Sequence, residues 1–423
     1  MTETKKNNNL VAIITMCFIF AMISFVTNMA APFGTIWGNK YEWSRMAGNL
    51  MNFLAYLFMG IPAGKMLMKV GYKKTTLIAL ATGFVGICIQ WLSSRSFLGE
   101  SAIYVYLLGA FVCGFCVCML NTVVNPMLNL LGGGGNKGNQ YIQIGGSFNS
   151  LMGTLTPMLV GALIGTLTAQ SKIADVNPVL FIAMGVFALA FIILLFVPIE
   201  DPEAVKATEN VESPLKFRHF VYGVIAIFLY VGVEVGIPGT LNFYLSDSVK
   251  GAGLDPSVAV RTAGFVAGTY WLLMLVGRLV SSFISGKVSS KAQLTCVSAV
   301  AIILVLWAML SPASTQTSMP AFTGSGFEMV KVPLSALLLV LCGLCTSVMW
   351  GTIFDLAVEG LGAATNKASG IFMAMVVGGG ILPLLQNFIA DKAGYMPSYW
   401  VIVAALAFIL FFAVAGSKVK KAA

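Results

Sequence analysis

Charge is scarce in this chain. Lys, Arg, Asp and Glu make up 10% of its 423 residues, while 58% are hydrophobic; an ordinary soluble domain carries about 25% charged residues. So few ionic groups cannot solvate a soluble globule of this size. That excludes a soluble enzyme, a disordered chain and a secreted disulfide scaffold. A mean hydropathy of +0.89 also argues against an outer-membrane barrel, whose alternating strands keep the average low. Histidine is rarer still, with His219 alone, and neither an HExxH pair nor a nucleophile elbow is present. A membrane enzyme would lack its base, so none is expected. The eight cysteines all lie in apolar runs and read as small packing residues. Cys113, Cys116 and Cys118 are spaced like ligands, but no His or carboxylate accompanies them. No metal and no cofactor is expected. The Gly132–Gly135 run lacks the Lys-Ser/Thr of a phosphate loop and reads as a flexible turn.

What the chain does have is long apolar runs, each near the roughly 20 residues that cross a bilayer. They fall at 10–37, 46–68, 75–94, 102–128, 141–168 and 179–198, then at 219–245, 262–284, 292–310, 333–358, 366–390 and 396–416. The expected fold is therefore an all-α membrane protein of twelve transmembrane helices arranged 6+6. Its halves are 1–198 and 219–423, and the linker at 199–218 is too polar to bury anything. The +9 net charge is no sign of nucleic-acid binding. If the N-terminus is cytoplasmic, the inside segments hold sixteen of the Lys and Arg residues and the outside segments eight. The positive-inside rule then places both termini in the cytoplasm of a multi-pass inner-membrane protein. Trp37, Trp43, Trp91, Trp307 and Trp400 fall near outer span ends, as an interfacial belt would.

Several motifs carry a resemblance. Gly60-Ile61-Pro62-Ala63-Gly64-Lys65 and Val70-Gly71-Tyr72-Lys73-Lys74 stand between spans 2 and 3, echoed by Gly277-Arg278 and Gly286-Lys287 in the second half. Asn125-Pro126 closes span 4, and Ser147-Phe148-Asn149-Ser150 lies in span 5. Span 7 carries Tyr230 to Gly236 around Glu234. Spans 10 and 11 contribute Gly351-Thr352-Ile353-Phe354, Glu359-Gly360-Leu361-Gly362 and Gly378-Gly379-Gly380-Ile381. The 6+6 plan resembles the major facilitator superfamily, and these motifs resemble its L-fucose:proton symporter and glucose/galactose transporter family. The resemblance implies alternating access about a midplane sugar site. It also implies proton coupling through an acid in span 1 and another in span 4. Here those places hold Ala31 and Asn121, which cannot titrate, and a family Gln in span 5 is replaced by Gly146.

Read from the residues alone, two carboxylates lie within spans, where each is a functional candidate. Glu234 is near the middle of span 7. Asp355 is toward the inner end of span 10, with Arg278, at the end of span 8, as its candidate partner in a gate. No Lys or Arg is expected deep in a span, which points to a neutral cargo. Neutral polar residues are plentiful: Asn28, Asn52, Tyr56, Asn121, Asn125, Gln143, Asn149, Tyr270, Thr352 and Asn387. Amides both donate and accept, as sugar hydroxyls require, and Trp271 and Trp350 offer apolar platforms for a sugar ring. The expected function is cation-coupled uptake of a neutral monosaccharide by a functional monomer, with proton or sodium as the candidate ion and Glu234 or Asp355 as the coupling acid. An uncoupled sugar facilitator and a drug-efflux transporter are the alternatives.

Overall fold

The computed structural model describes residues 3–419 except 29–32, 34–35, 38–39, 42–43, 45–46, 165–171, 198–211 and 248–249. Ala31 and most of the expected linker lie outside the described residues. Helix dominates because the backbone of an apolar chain in lipid must satisfy its own N–H and C=O groups. The first helix, α1, is Glu3–Asn28. The next helical stretch, Ala47–Leu92, has 46 residues and would measure about 70 Å if straight, twice a bilayer core. Gly71 breaks it with φ 81°, a left-handed backbone that glycine adopts without a Cβ penalty. Its limbs are α2 (47–70) and α3 (72–92). Then follow α4 (Ala102–Leu131), α5 (Gly135–Ile164), α6 (Asn177–Phe196), α7 (Arg218–Ser246), α8 (Pro256–Ile284), α9 (Ser290–Leu310) and α10 (Leu334–Val358). Helix α11 has two limbs, Thr365–Ala374 and Gly378–Ala393, joined by a 3-10 turn at Met375–Val377. Finally, α12 runs Trp400–Phe411 and ends in a π turn.

Ten helical stretches among the described residues are long and apolar enough to cross a membrane, the α2–α3 stretch counting once. The first half of helix α5 carries Asn136, Lys137, Asn139, Gln140 and Gln143. The all-helical expectation needs one addition. Strands β1 (Gln316–Phe322) and β2 (Phe327–Pro333) form an antiparallel hairpin between α9 and α10, with Phe322 opposite Phe327 at the turn. It is fixed to α8, where the Phe322 N–H donates to Thr269 Oγ1 at 2.8 Å and Arg261 pairs with Glu328 at 2.7 Å.

Backbone contacts sort the chain into two units whose borders cut through two helices. One unit is Met1–Gly133, Leu151–Pro214 and Leu361–Val377; the other is Gly134–Ser150, Leu215–Gly360 and Gly378–Ala423. In the first unit, α3 and α4 meet through small residues. A Cβ on Gly86 would lie 2.7 Å from Cys113 Sγ, and one on Gly83 the same distance from Cys116 Sγ. These cysteines are thiols packed in a helix seam. The first limb of α11 crosses α2 equally closely: a Cβ on Gly370 would lie 2.6 Å from the Gly60 carbonyl oxygen and 2.8 Å from Gly64 Cα. Such approach of small residues is how helices gain dispersion contact in lipid. In the second unit, α7 meets the second limb of α11 through Gly232 against Leu382 and Gly236 against Gln386.

Candidate functional site

The polar candidates gather in two groups, one in each unit. The first is built on α2 and α4. Asn121 Nδ2 donates to the Tyr56 hydroxyl at 2.8 Å, and Asn125 Nδ2 donates to the Asn121 carbonyl at 2.9 Å. Asn52 lies one turn before Tyr56 on α2, and all four side chains are buried. Asn28 stands apart on α1. Its amide turns back on its own helix, donating to the Ser24 carbonyl at 2.8 Å. Pro126 explains a further contact. Lacking an N–H, it leaves the Thr122 carbonyl without its helical donor, and the Ser369 hydroxyl from α11 donates there at 3.1 Å. Nearby, the Tyr72 hydroxyl donates to Asn366 Oδ1 at 2.7 Å.

The second group centres on a residue whose place was misread in the sequence. Arg278 is not a helix-end cation. It is buried to 8% exposure, and its Nη2 donates to Glu234 Oε1 at 3.2 Å. The reason is direction. Side chains on a helix tilt toward its N-terminus, so Arg278, close to the C-terminal end of α8, reaches back along the helix toward its middle. The expected Asp355–Arg278 gate pair is therefore corrected: Asp355 Oδ2 accepts from the Ser290 hydroxyl at 2.6 Å. The expectation of no deep cation is corrected with it. Arg278 also bonds α5, with Nη1 at 2.8 Å from Ser150 Oγ, 3.2 Å from the Gly146 carbonyl and 3.4 Å from Asn149 Oδ1. Its Nε reaches the Ser347 carbonyl of α10 at 3.4 Å. The salt-bridged side chains are 10% and 15% exposed, so this ion pair is largely desolvated. Pro238 adds a polar edge beside it by leaving the Glu234 carbonyl without a helical donor.

Aromatic rings surround the pair. Tyr230, one turn before Glu234, meets Trp350 edge-on with ring centroids 6.2 Å apart. The Tyr270 hydroxyl is 2.9 Å from Thr346 Oγ1, and its ring meets Trp271 at right angles. Tyr270 is fully buried, whereas Trp271 is 40% exposed. Thr352 is buried and returns its hydroxyl to the Val348 carbonyl at 2.9 Å. Gln143 is buried but already engaged, its Nε2 donating to the same carbonyl at 3.1 Å. Asn387 is half-buried, and its neighbour Gln386 is the one fully buried against Gly236. The one-residue difference is a turn of 100° around the helix, which composition cannot resolve.

Among the described residues no group of three His, Cys, Asp or Glu could hold a metal. Residues 13–382 match the profile of the Major Facilitator Superfamily. The chain belongs to that superfamily. It is a multi-pass membrane protein of a transporter family, not an enzyme. It is 28% identical over 429 residues to the glucose/galactose transporter of Brucella abortus biovar 1 (strain 9-941), covering 99% of this chain and 97% of that one. It is 23% identical over 393 residues to the L-fucose-proton symporter of Escherichia coli (strain K12), covering 85% and 81%. A crystal structure of a variant of the E. coli fucose:proton symporter has the same fold, with a TM-score of 0.79 at 17% identity over 97% of this chain and 100% of that one. Sequence reasoning missed four contributors to the superfamily member's polar groups: Ser150, Ser347, Ser369 and Gln386. The first two became visible only when Arg278 was placed. Pro126 was the available signal for Ser369, because every helix-interior proline orphans a carbonyl.

Proposed function

We propose that this superfamily member moves a neutral monosaccharide across the cytoplasmic membrane by alternating access, coupled to a proton or sodium ion. Both termini would be cytoplasmic, the unit of function a monomer, and the rocking bodies the halves 1–198 and 219–423. The observation that carries the reading is the Arg278–Glu234 pair amid amides and aromatic rings. A cation held by its own carboxylate leaves no net charge for a sugar phosphate to exploit, while the surrounding donors and acceptors suit hydroxyls. The relatives, a glucose/galactose transporter and an L-fucose-proton symporter, favour the same cargo. Glu234 is the candidate coupling acid. The family's span-4 acid is Asn121 here, an amide bonded to Tyr56. That replacement favours an uncoupled facilitator as the second reading.

The test is transport of labelled hexoses and deoxyhexoses into proteoliposomes, with and without imposed proton and sodium gradients. Coupled uptake accumulates sugar above equilibrium only with one gradient; the facilitator equilibrates with neither. Failure of every neutral sugar to enter or to exchange refutes the proposal.

A further inference from the structure

Arg278 binds three helices besides its own, and its α5 partners sit where the two contact units part. Gly146, Asn149 and Ser150 are the last residues of the α5 segment grouped with α7–α10, and Leu151 belongs to the other unit. Gly146 makes room for this. A Cβ there would lie 3.4 Å from Arg278 Cδ and 3.7 Å from Nε. A longer side chain, such as the Gln of the resembling family, would push the guanidinium off the α5 backbone. The exchange of that Gln for Gly146 and the seating of Arg278 are thus two sides of one arrangement.

We propose that Arg278 is a charge-operated latch that holds the first limb of α5, residues 135–150, on α8 for as long as Glu234 is ionised. This deepens the transport reading and rests on it. When a proton from the aqueous phase adds to Glu234, the carboxylate becomes a carboxylic acid and no other bond forms or breaks. Arg278 keeps its charge but loses its counter-ion. A buried cation without one is costly, so the guanidinium leaves for water and gives up Gly146, Asn149 and Ser150 together. Two further ties of α5 are neutral amides: Gln140 Nε2 to the Ser282 carbonyl at 3.0 Å and Gln143 Nε2 to the Val348 carbonyl. Neutral bonds are about half as strong as charge-assisted ones, so the limb loosens once the cation departs. Proton arrival is thereby converted into freedom of one helix end, which is what a symporter needs for its loaded form to reorient.

The groups around Glu234 leave it as the operating one. Its own helix offers Tyr230, and α8 offers Arg278 and Tyr270. The α5 neighbours, Asn149 and Ser150, are uncharged, as are Trp350 and Ser347 on α10. Cys342 and Cys345 of α10 stand behind Tyr270, and Asp355 is held by Ser290. Helix α11 brings the uncharged Gln386, and on α12 the Tyr399 hydroxyl donates to the Ile237 carbonyl at 3.0 Å.

Hydrogen–deuterium exchange on the full chain in lipid nanodiscs reads the latch directly, after correction for the intrinsic pH dependence of exchange. Peptides covering 135–150 should exchange slowly at high pH and at least about a hundredfold faster once acidification discharges Glu234, the loss expected when a buried ion pair breaks. Peptides from the first limb of α11, which Arg278 does not touch, should not respond. Glu234→Gln keeps the shape of the protonated acid and should exchange fast at both pH values. Arg278→Lys keeps the charge without the fork and should show a weakened response, so the idea stays testable should Arg278→Gln fail to fold. Equal exchange of 135–150 at both pH values in the unaltered chain overturns the latch, as does full protection in Glu234→Gln. A response to sodium at fixed pH, with none to protons, overturns it too. Sugar counterflow measured on the same samples separates the two readings. Counterflow with an unresponsive α5 removes the latch alone, and a responsive α5 without counterflow of any sugar removes the sugar reading alone.

Discussion

Removing Arg278 alone should harm the fold far more than removing it together with Glu234. The pair is 3.2 Å long with side chains 10% and 15% exposed. In Arg278→Met, which keeps most of the length of the stem, the Glu234 carboxylate stays buried with its counter-ion gone, and Asn149, Ser150 and the Gly146 and Ser347 carbonyls each lose a donor. Breaking a buried pair from one side costs about 3–5 kcal/mol. In a unit of roughly 200 residues each kcal/mol moves the melting midpoint by about 2–4 °C, so the single variant should melt roughly 6–20 °C lower. Glu234→Gln combined with Arg278→Met removes both charges and should recover most of that loss, since uncharged replacements for a buried pair are often near neutral. The assay is thermal unfolding of the four proteins of the cycle in one detergent, followed by intrinsic tryptophan fluorescence. Additive shifts, with the double variant melting at the sum of the two losses, would refute the reasoning and show that the two residues act separately.

Gly370→Val should destabilise by about 1–3 kcal/mol of overpacking, seen as a lower melting midpoint, because a Cβ there meets the Gly60 carbonyl and Gly64 Cα. Ser369→Ala should cost about 1–3 kcal/mol in the same assay by leaving the Thr122 carbonyl, already deprived of its donor by Pro126, buried and unpaired. Asn121→Asp should make uptake depend on pH in a protein with Glu234→Gln, since an acid returns to the span-4 place; a flat pH profile in proteoliposomes would count against it. Neutral hexoses should raise the melting midpoint in a ligand thermal-shift assay, and the same sugars as phosphates should not.

How much of this was legible in the sequence varies with the physics involved. Hydropathy located the spans because lipid tolerates little besides apolar helix. It missed the Gln316–Pro333 hairpin, whose strands are short and lie between spans, where no bilayer enforces a pattern. Asn121, Asn125 and Tyr56 stand out in the sequence only as members of a longer list of polar residues, because cost inside a span marks each one but does not say which of them meet. Arg278 is hard to place from sequence because counting from the helix end gives the height of its Cα, not that of a long side chain that tilts toward the helix N-terminus. The Asp355 pairing failed for the same reason. For Gln143 and Asn28, a one-letter code does not say that their amides are already spent on neighbouring carbonyls.

The hairpin gives α8 a handle. Its turn, residues 323–326, belongs to the loop before α10, yet the Phe322 amide and Glu328 fasten it to Thr269 at the middle of α8 and to Arg261 near its start. Arg278 lies farther along the same helix, so the hairpin and the buried guanidinium are mounted on one rigid rod. A nanobody raised against that turn would grip the rod at its far end without entering the site. Its affinity would then serve as a gauge of where α8 stands, rising or falling as the helix shifts, without a label placed inside the bundle.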